Sequence, residues 1–344
     1  MPTVRLDPAL IAEPAAVAEL TFRLARQGNN EAAVALIEQA LKNDPSNRML
    51  KAVEASVLSR SLPSYHRSML ADLRRNAGYK KAIEATVRPG DLVLDIGTGS
   101  GLLAMMAAEA GAERVVSCEV NPVVADVARK IIAKNGFADK IEVITGYSIA
   151  LDQAQVGGPF DVIVSEIFDA DAVSEGFLPS IRDAWKRFAK SDTRFVPERC
   201  AVVVALAECH AGESPPLGNV LGFDLGEFAT LFPRNRYLSR GEALTMRSDP
   251  RCLFELDLCD PSTLEPRTTK VALNAHGGHA DAIVQWLEIS LTAGVDCSNS
   301  PEVDRSSSWM RGAWSLGAPV ATAKGEEFLI GALLSDDRLL IWPE

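Results

Sequence analysis

The stretch Ser165 to Gly176, SEIFDADAVSEG, sets two glutamates, Glu166 and Glu175, nine positions apart on either side of the loop-like Phe168-Asp169-Ala170-Asp171. It follows the apolar run Phe160-Asp161-Val162-Ile163-Val164, which reads as a buried strand. Neighbouring carboxylates repel, so they either point apart into water or hold a cationic group between them. A second candidate lies upstream in LDIGTGSG, with Asp95 followed by Gly97, Gly99 and Gly101. Glycines let such a turn pass close beneath a ligand, and the helix that follows offers free backbone N–H groups. The spacing is Gly-x-Gly-x-Gly and not the Gly-x-Gly-x-x-Gly of the dinucleotide fingerprint. Asp95 suits S-adenosylmethionine, whose amino-acid portion carries an ammonium and whose sulfur is positive. The next apolar run ends in Cys118-Glu119-Val120-Asn121-Pro122. An acid there accepts hydrogen bonds from both ribose hydroxyls, in NAD enzymes as well, so Glu119 argues for a ribose and not for one cofactor. Taken singly, the glycine turn also reads as a turn without a ligand, and the acidic loop as a solvated turn.

These residues need a scaffold, and the hydrophobic pattern describes one. DLVLDIG, RVVSCEV, KIEVITG and FDVIVSE read as buried parallel strands, with helices around 101–110 and 122–135 between the first three. That is a doubly wound α/β domain. Ahead of it, AVAELTFRLARQG and EAAVALIEQALKNDPSN predict two antiparallel helices joined at Gly28-Asn29-Asn30. This is a tetratricopeptide-like hairpin, read as a packing extension because one pair is too few for a solenoid. Residues 63–87 are mostly helical. After Pro197, runs such as CAVVVALAE, CLFELDL, KVALNA, AIVQWLEISL, EFLIGALLS and RLLIWPE predict β structure closing as a barrel or sandwich. Only residues 217–232 interrupt it, with a helical excursion. The expected divisions are 1–62, 63–197 and 198–344.

The 344 residues, 47% hydrophobic, suffice for a large core. A net charge of −11 argues against nucleic-acid binding, which needs a basic face. No apolar run is long enough to cross a bilayer, and no secretory signal is expected from the first residues. The six scattered cysteines fit reduced thiols, hence a cytoplasmic protein. His276-Gly-Gly-His279 reads as a turn between strands and not as a metal site. Asp169 and Asp171 read as solvent-facing without a role, and Trp185, Trp286, Trp314 and Trp342 as packing residues.

With the glycine loop, Glu119 and the two glutamates together, residues 63–342 resemble the protein arginine methyltransferase family. Those enzymes join an S-adenosylmethionine domain to a β-barrel and carry a double-glutamate loop with this offset. Further upstream, His66-x-x-Met69-Leu70-x-Asp72-x-x-Arg75 resembles the family's helix over the cofactor. By that match Arg75 pairs with the cofactor carboxylate and Met69 crowds the methyl-acceptor site. His66, Thr98, Val120, Tyr147 and Ser148 join Asp95, Gly97, Gly99, Glu119 and Glu166 around the cofactor. NVLGFDL, Asn219 to Leu225, resembles the tip of the arm by which such enzymes form homodimers. Ser307-Ser308-Trp309 falls where the family has Thr-His-Trp, so Ser308 replaces the histidine that pairs with the aspartate matched by Asp72. The family's Tyr-x-x-x-Tyr helix is not recognisable ahead of His66. Ser148 or Ile149 stands where many members have an adenine-contacting glutamate.

The resemblance implies an arginine acceptor, free or within a peptide. A guanidinium is a planar fork of five donors that stays protonated, and two carboxylates gripping it cancel their mutual repulsion. Glu166 and Glu175 would thus orient one terminal nitrogen toward the methyl group, with Trp309 and Ser308 walling the acceptor pocket. Two other readings stay open: another small-molecule N- or O-methyltransferase on this fold, and a non-catalytic binding module using its helical N-terminus.

Overall fold

The computed structural model describes residues 13–62, 65–209, 218–231, 233, 235–239, 241–302 and 307–344. Three helices open the described chain: α1 (Pro14–Arg26), α2 (Asn30–Asn43) and α3 (Arg48–Ser61). The expectation was two. The Asp44-Pro45 step ends α2, but the Asn47 side chain accepts the Leu50 N–H at 3.1 Å and so starts a third helix at once. Val17, Leu36, Ile37 and Leu50 close a small core between them. The bundle leans on α7 (Pro122–Lys134), with an exposed Glu38–Lys130 pair at 2.8 Å. Helices α4 (Tyr65–Ala71) and α5 (Leu73–Thr86) follow. Asp72 separates them, its carboxylate capping α5 at the Arg75 N–H.

Five parallel strands then form the first sheet: β1 (Leu92–Ile96), β2 (Arg114–Glu119), β3 (Ile141–Thr145), β4 (Phe160–Ser165) and β5 (Ala189–Val196), in the order β3-β2-β1-β4-β5. Strands β1 to β4 are mostly apolar because helices cover both faces: α6 (Leu102–Glu109), α7, the one-turn α8 (Gln153–Val156) and α9 (Phe177–Arg187) among them. Strand order reverses between β1 and β4, and the crevice at their carboxyl ends is where an open α/β sheet binds ligands. The glycine loop leaves β1 and Glu166 follows β4, so both candidate motifs open onto that point. Strand β5, AKSDTRFV, has no expectation behind it because charged residues break its pattern at the sheet edge.

The remaining strands form an eight-stranded antiparallel, barrel-like sheet: β6 (Arg199–Cys209), β9 (Asn235–Leu238), β10 (Leu244–Met246), β11 (Arg251–Asp257), β12 (Arg267–Thr292), β13 (Val295–Ser298), β14 (Arg311–Leu334) and β15 (Leu339–Pro343). The expected turn at His276–His279 is instead a bend within the 26-residue β12. Gly277 and Gly278 take positive φ (86° and 97°), and the register with β14 slips on both sides of them. Two bulges coil the strand without reversing it. The helical excursion expected over 217–232 is corrected as well, residues 217 and 232 lying outside the described set. Its described part is a tiny hairpin, β7 (Asn219–Val220) with β8 (Phe223–Asp224), then a 3-10 segment, Gly226–Leu231. Gly222 and Leu221 at positive φ make the hairpin turn that the apolar spacing alone concealed. One hydrophobic core runs from the parallel sheet into the barrel, including Ile96, Phe177, Leu256, Ile283 and Trp309.

Candidate active site

A cavity of about 780 Å³ lies over the carboxyl ends of β1 and β4, between the parallel sheet, α4 and the barrel. His66, Met69, Arg75, Gly97, Thr98, Gly99, Glu119, Val120, Tyr147, Ser148, Glu166, Glu175, Ser308 and Trp309 all line it. Residues separated by some 240 positions in sequence thus meet in one space.

The glycine loop is shaped by contact. Gly97 has φ +90°, and a Cβ there would stand 2.3 Å from the Ile167 side chain. Gly99, with φ +52°, meets nothing within 4 Å and leaves the loop open toward the cavity. Glu119 closes the far side: its Oε2 accepts the Gly99 N–H at 3.0 Å and its Oε1 the Asn121 N–H at 2.8 Å. Each oxygen keeps a further lone pair. Asp95 differs from expectation. It is 1% exposed and lies beneath the loop, outside the cavity lining. Its Oδ2 accepts from Ser117, whose hydroxyl in turn contacts that of Thr98. Burial pushes the Asp95 carboxyl up to about 7, and through Ser117 it holds the loop from below. Cys118 also lines the cavity, and burial raises its thiol to about 12, which keeps it an inert thiol.

The two glutamates are not equivalent. Glu166 is buried and already engaged. Arg75 Nε donates to its Oε1 at 2.8 Å, Arg75 Nη2 pairs with its Oε2, and Trp309 Nε1 donates to Oε1 at 3.0 Å. Arg75 spends its Nη1 on the Met69 carbonyl (3.0 Å) and Asn76 Oδ1 (2.9 Å). The expected role of Arg75 toward a cofactor carboxylate is therefore narrowed to the one remaining N–H of Nη2. Glu175, in contrast, is exposed at the cavity mouth. Its Oε1 accepts the Tyr65 hydroxyl at 2.6 Å. Partial desolvation raises its carboxyl above the usual range, against the Tyr65 hydrogen bond, and the charges of Asp169 and Glu119 add to the rise.

Tyr65, Tyr237 and Gln285 went unrecognised in the sequence, and Asp169 and Asp171 differ from expectation. Tyr65 reaches Glu175 although no Tyr-x-x-x-Tyr helix is present; its place immediately before His66 was the available signal. Tyr237, on β9, donates to Asp169 Oδ2 at 2.9 Å, and no pattern in its strand foretold it. Asp169 itself lines the cavity and is half-buried, which corrects the solvent-facing expectation. Asp171 is half-buried too, its carboxylate accepting the Val173 and Ser174 N–H groups to shape the loop. Gln285, from β12, fixes the same loop through the Ala170 carbonyl. Ser308 replaces the histidine relay with a backbone contact: its N–H donates to Asp72 Oδ2 at 2.9 Å. Burial alone would raise Asp72, but the N–H donors of Ser308 and Arg75 outweigh it and hold its carboxyl below the ordinary value. His66 is lowered, by desolvation first and Arg75 after it, against the pull of Glu119. Ser148 lines the cavity; its neighbour Ile149 does not.

Residues 80–191 match the family model of ribosomal protein L11 methyltransferase (PrmA). The chain is 38% identical over 318 residues to an arginine N(omega)-methyltransferase of Streptomyces achromogenes subsp. streptozoticus, an alignment covering 89% of this chain and 87% of that protein. It is 42% identical over 154 residues to protein arginine N-methyltransferase 7 of Rattus norvegicus, covering 42% of this chain but only 22% of that much longer protein. Among solved structures, the Trypanosoma brucei PRMT1 enzyme–prozyme heterotetrameric complex with AdoHcy shares the fold, with a TM-score of 0.69 at 24% identity over 82% of this chain and 93% of that one.

Proposed function

The chain belongs to the arginine N-methyltransferase family, and from that premise we propose that it methylates an ω-nitrogen of free L-arginine with S-adenosylmethionine as donor. The observation that carries the reading is the shared cavity: a glycine-and-glutamate cradle and a pair of glutamates open into the same 780 Å³. The similarity along nearly its full length to a protein named for arginine, and not for protein arginine, favours the free amino acid.

The residues present fit the donor. Gly97 and Gly99 keep the loop floor free of side chains, and Glu119 retains lone pairs for ribose hydroxyls. Tyr147, Ser148, Val120, His66 and Met69 would wall the remainder, with the free N–H of Arg75 for a carboxylate. When bound, S-adenosylmethionine supplies a methyl group on a positively charged sulfur. The chain's own task is to aim a nitrogen at it. Glu166 carries no net charge to spare, since Arg75 balances it, and offers a guanidinium one remaining acceptor direction on Oε2. Glu175 supplies the uncompensated negative charge and a free Oε2, and receives the proton that leaves the nitrogen. Trp309, 7% exposed, keeps water from that corner.

Calorimetric titration of L-arginine and L-citrulline into the protein with S-adenosylhomocysteine tests this. Citrulline keeps the shape but replaces the cationic fork with a neutral urea. Arginine is expected to bind and citrulline to bind at least about tenfold more weakly, the scale of one lost charged hydrogen bond. Equal binding of the two sinks the clamp.

The same reading includes a homodimer. Leu221 (95% exposed), Phe223 (72%), Phe228 (57%) and Leu231 (71%) project from one short excursion of the barrel. So dense an apolar display marks an interaction surface, and a second copy is the occupant the family premise supplies.

A further inference from the structure

Part of what aims Glu166 comes from the other half of the molecule. The residue sits at the end of β4, but the indole N–H on its Oε1 belongs to Trp309, in the connection between β13 and β14. That connection is pinned from behind by Asn299, which is fully buried and lies outside the cavity lining. Its Nδ2 donates to the Trp309 carbonyl at 3.2 Å and the Met310 carbonyl at 2.9 Å, while its Oδ1 accepts the Leu287 N–H at 2.7 Å. Ahead of the tryptophan, Asp72 holds the Ser308 N–H at 2.9 Å. Two anchors, one from each domain, thus leave the indole little freedom.

We propose that Asn299 is a positioning residue for methyl transfer, acting through the Trp309 N–H to fix the direction in which Glu166 meets the acceptor. The inference rests on the arginine-methyltransferase reading and deepens it. With Arg75 Nε and Trp309 Nε1 both on Oε1, the carboxylate cannot rotate without breaking a buried bond, so its remaining lone pair on Oε2 points one way. Side-chain chemistry makes asparagine specific here. The site presents two carbonyls that need donors and one N–H that needs an acceptor. Aspartate, of the same shape, would set its carboxylate against both carbonyls.

The test is steady-state kinetics of the full chain with S-adenosylmethionine and L-arginine for Asn299→Asp, Trp309→Phe and the double variant. Each single is expected to lower kcat about 10- to 100-fold, as for one hydrogen bond to a charged group, with the KM for S-adenosylmethionine unchanged. The double variant should be no slower than the slower single, because both act through one bond. A purely structural defect at Asn299 would instead multiply with the loss at Trp309, and that outcome overturns the proposal. So does a Trp309→Phe enzyme with wild-type kcat, a result that stands even if Asn299→Asp fails to fold. A wild type inert toward arginine defeats the underlying reading and this inference with it; an active wild type with multiplying losses defeats the inference alone.

Discussion

Replacing Glu166 by glutamine should destabilise the fold, whereas the same change at Glu175 should not. The Arg75 and Glu166 side chains are 5% and 4% exposed. Removing one charge of a buried pair costs about 3–5 kcal/mol, because the other charge stays behind without its partner. Arg75 would keep the Met69 carbonyl and Asn76 Oδ1, and the glutamine carbonyl could still accept one N–H. The lower end, about 3 kcal/mol, is therefore expected. At roughly 1–2 °C per kcal/mol for a chain of 344 residues, Tm should fall by about 3–6 °C. Glu175 is exposed, and its folded carboxyl is raised above the unfolded value, chiefly by desolvation. A raised carboxyl contributes stability below its unfolded pKa and loses it as pH rises through the folded one. Neutralising it near neutral pH should leave Tm unchanged or slightly higher, although both variants should lose turnover by orders of magnitude. Differential scanning calorimetry of the two variants reads this directly. Equal Tm shifts would show that Arg75 does not depend on Glu166, and the inequality of the two glutamates would be withdrawn.

Three further outcomes follow from the same site. Glu119→Ala should weaken S-adenosylhomocysteine by about 1–3 kcal/mol in calorimetry; wild-type preference for NAD would contradict the cradle assignment. Because the acceptor needs Glu175 ionised and its carboxyl is raised, kcat/KM should fall as pH drops through a value above the ordinary 4.5 for glutamate, and an acid limb at or below that value would remove Glu175 as the charged partner. Leu221→Glu with Phe223→Glu should convert a dimer to monomer in sedimentation velocity, and a wild type already monomeric at micromolar concentration would end the arm proposal.

The apolar runs of β1 to β4 and the glycine loop were legible because sheet burial and a close turn each demand a narrow set of residues. The glutamate pair stood out only through its resemblance to the family's double-glutamate loop, and its asymmetry did not show at all. Arg75 lies 91 positions from Glu166 and Trp309 lies 143 away, and only the folded chain brings both onto one carboxylate. That Asp95 lies beneath the loop and not in the cavity lining was not legible, because position at a strand end says nothing about whether a side chain faces up to a ligand or down into the core. At Gly277-Gly278 the residues fit either a turn or a bulge; pairing with β14 on both sides decided for the bulge. The segment around Leu221 carries helix-compatible apolar spacing, yet the positive φ at Leu221 and Gly222 folds it back on itself.

The most direct test of the account follows a labelled methyl group. The protein is incubated with S-adenosylmethionine carrying a ¹³C-methyl, together with free L-arginine and, separately, an arginine–glycine-rich peptide, and the products are fragmented by tandem mass spectrometry. The expected result is label on an ω-nitrogen of free arginine, lost in the Glu175→Gln variant. Label confined to the peptide would contradict the free acceptor, and label on neither would contradict arginine methylation itself.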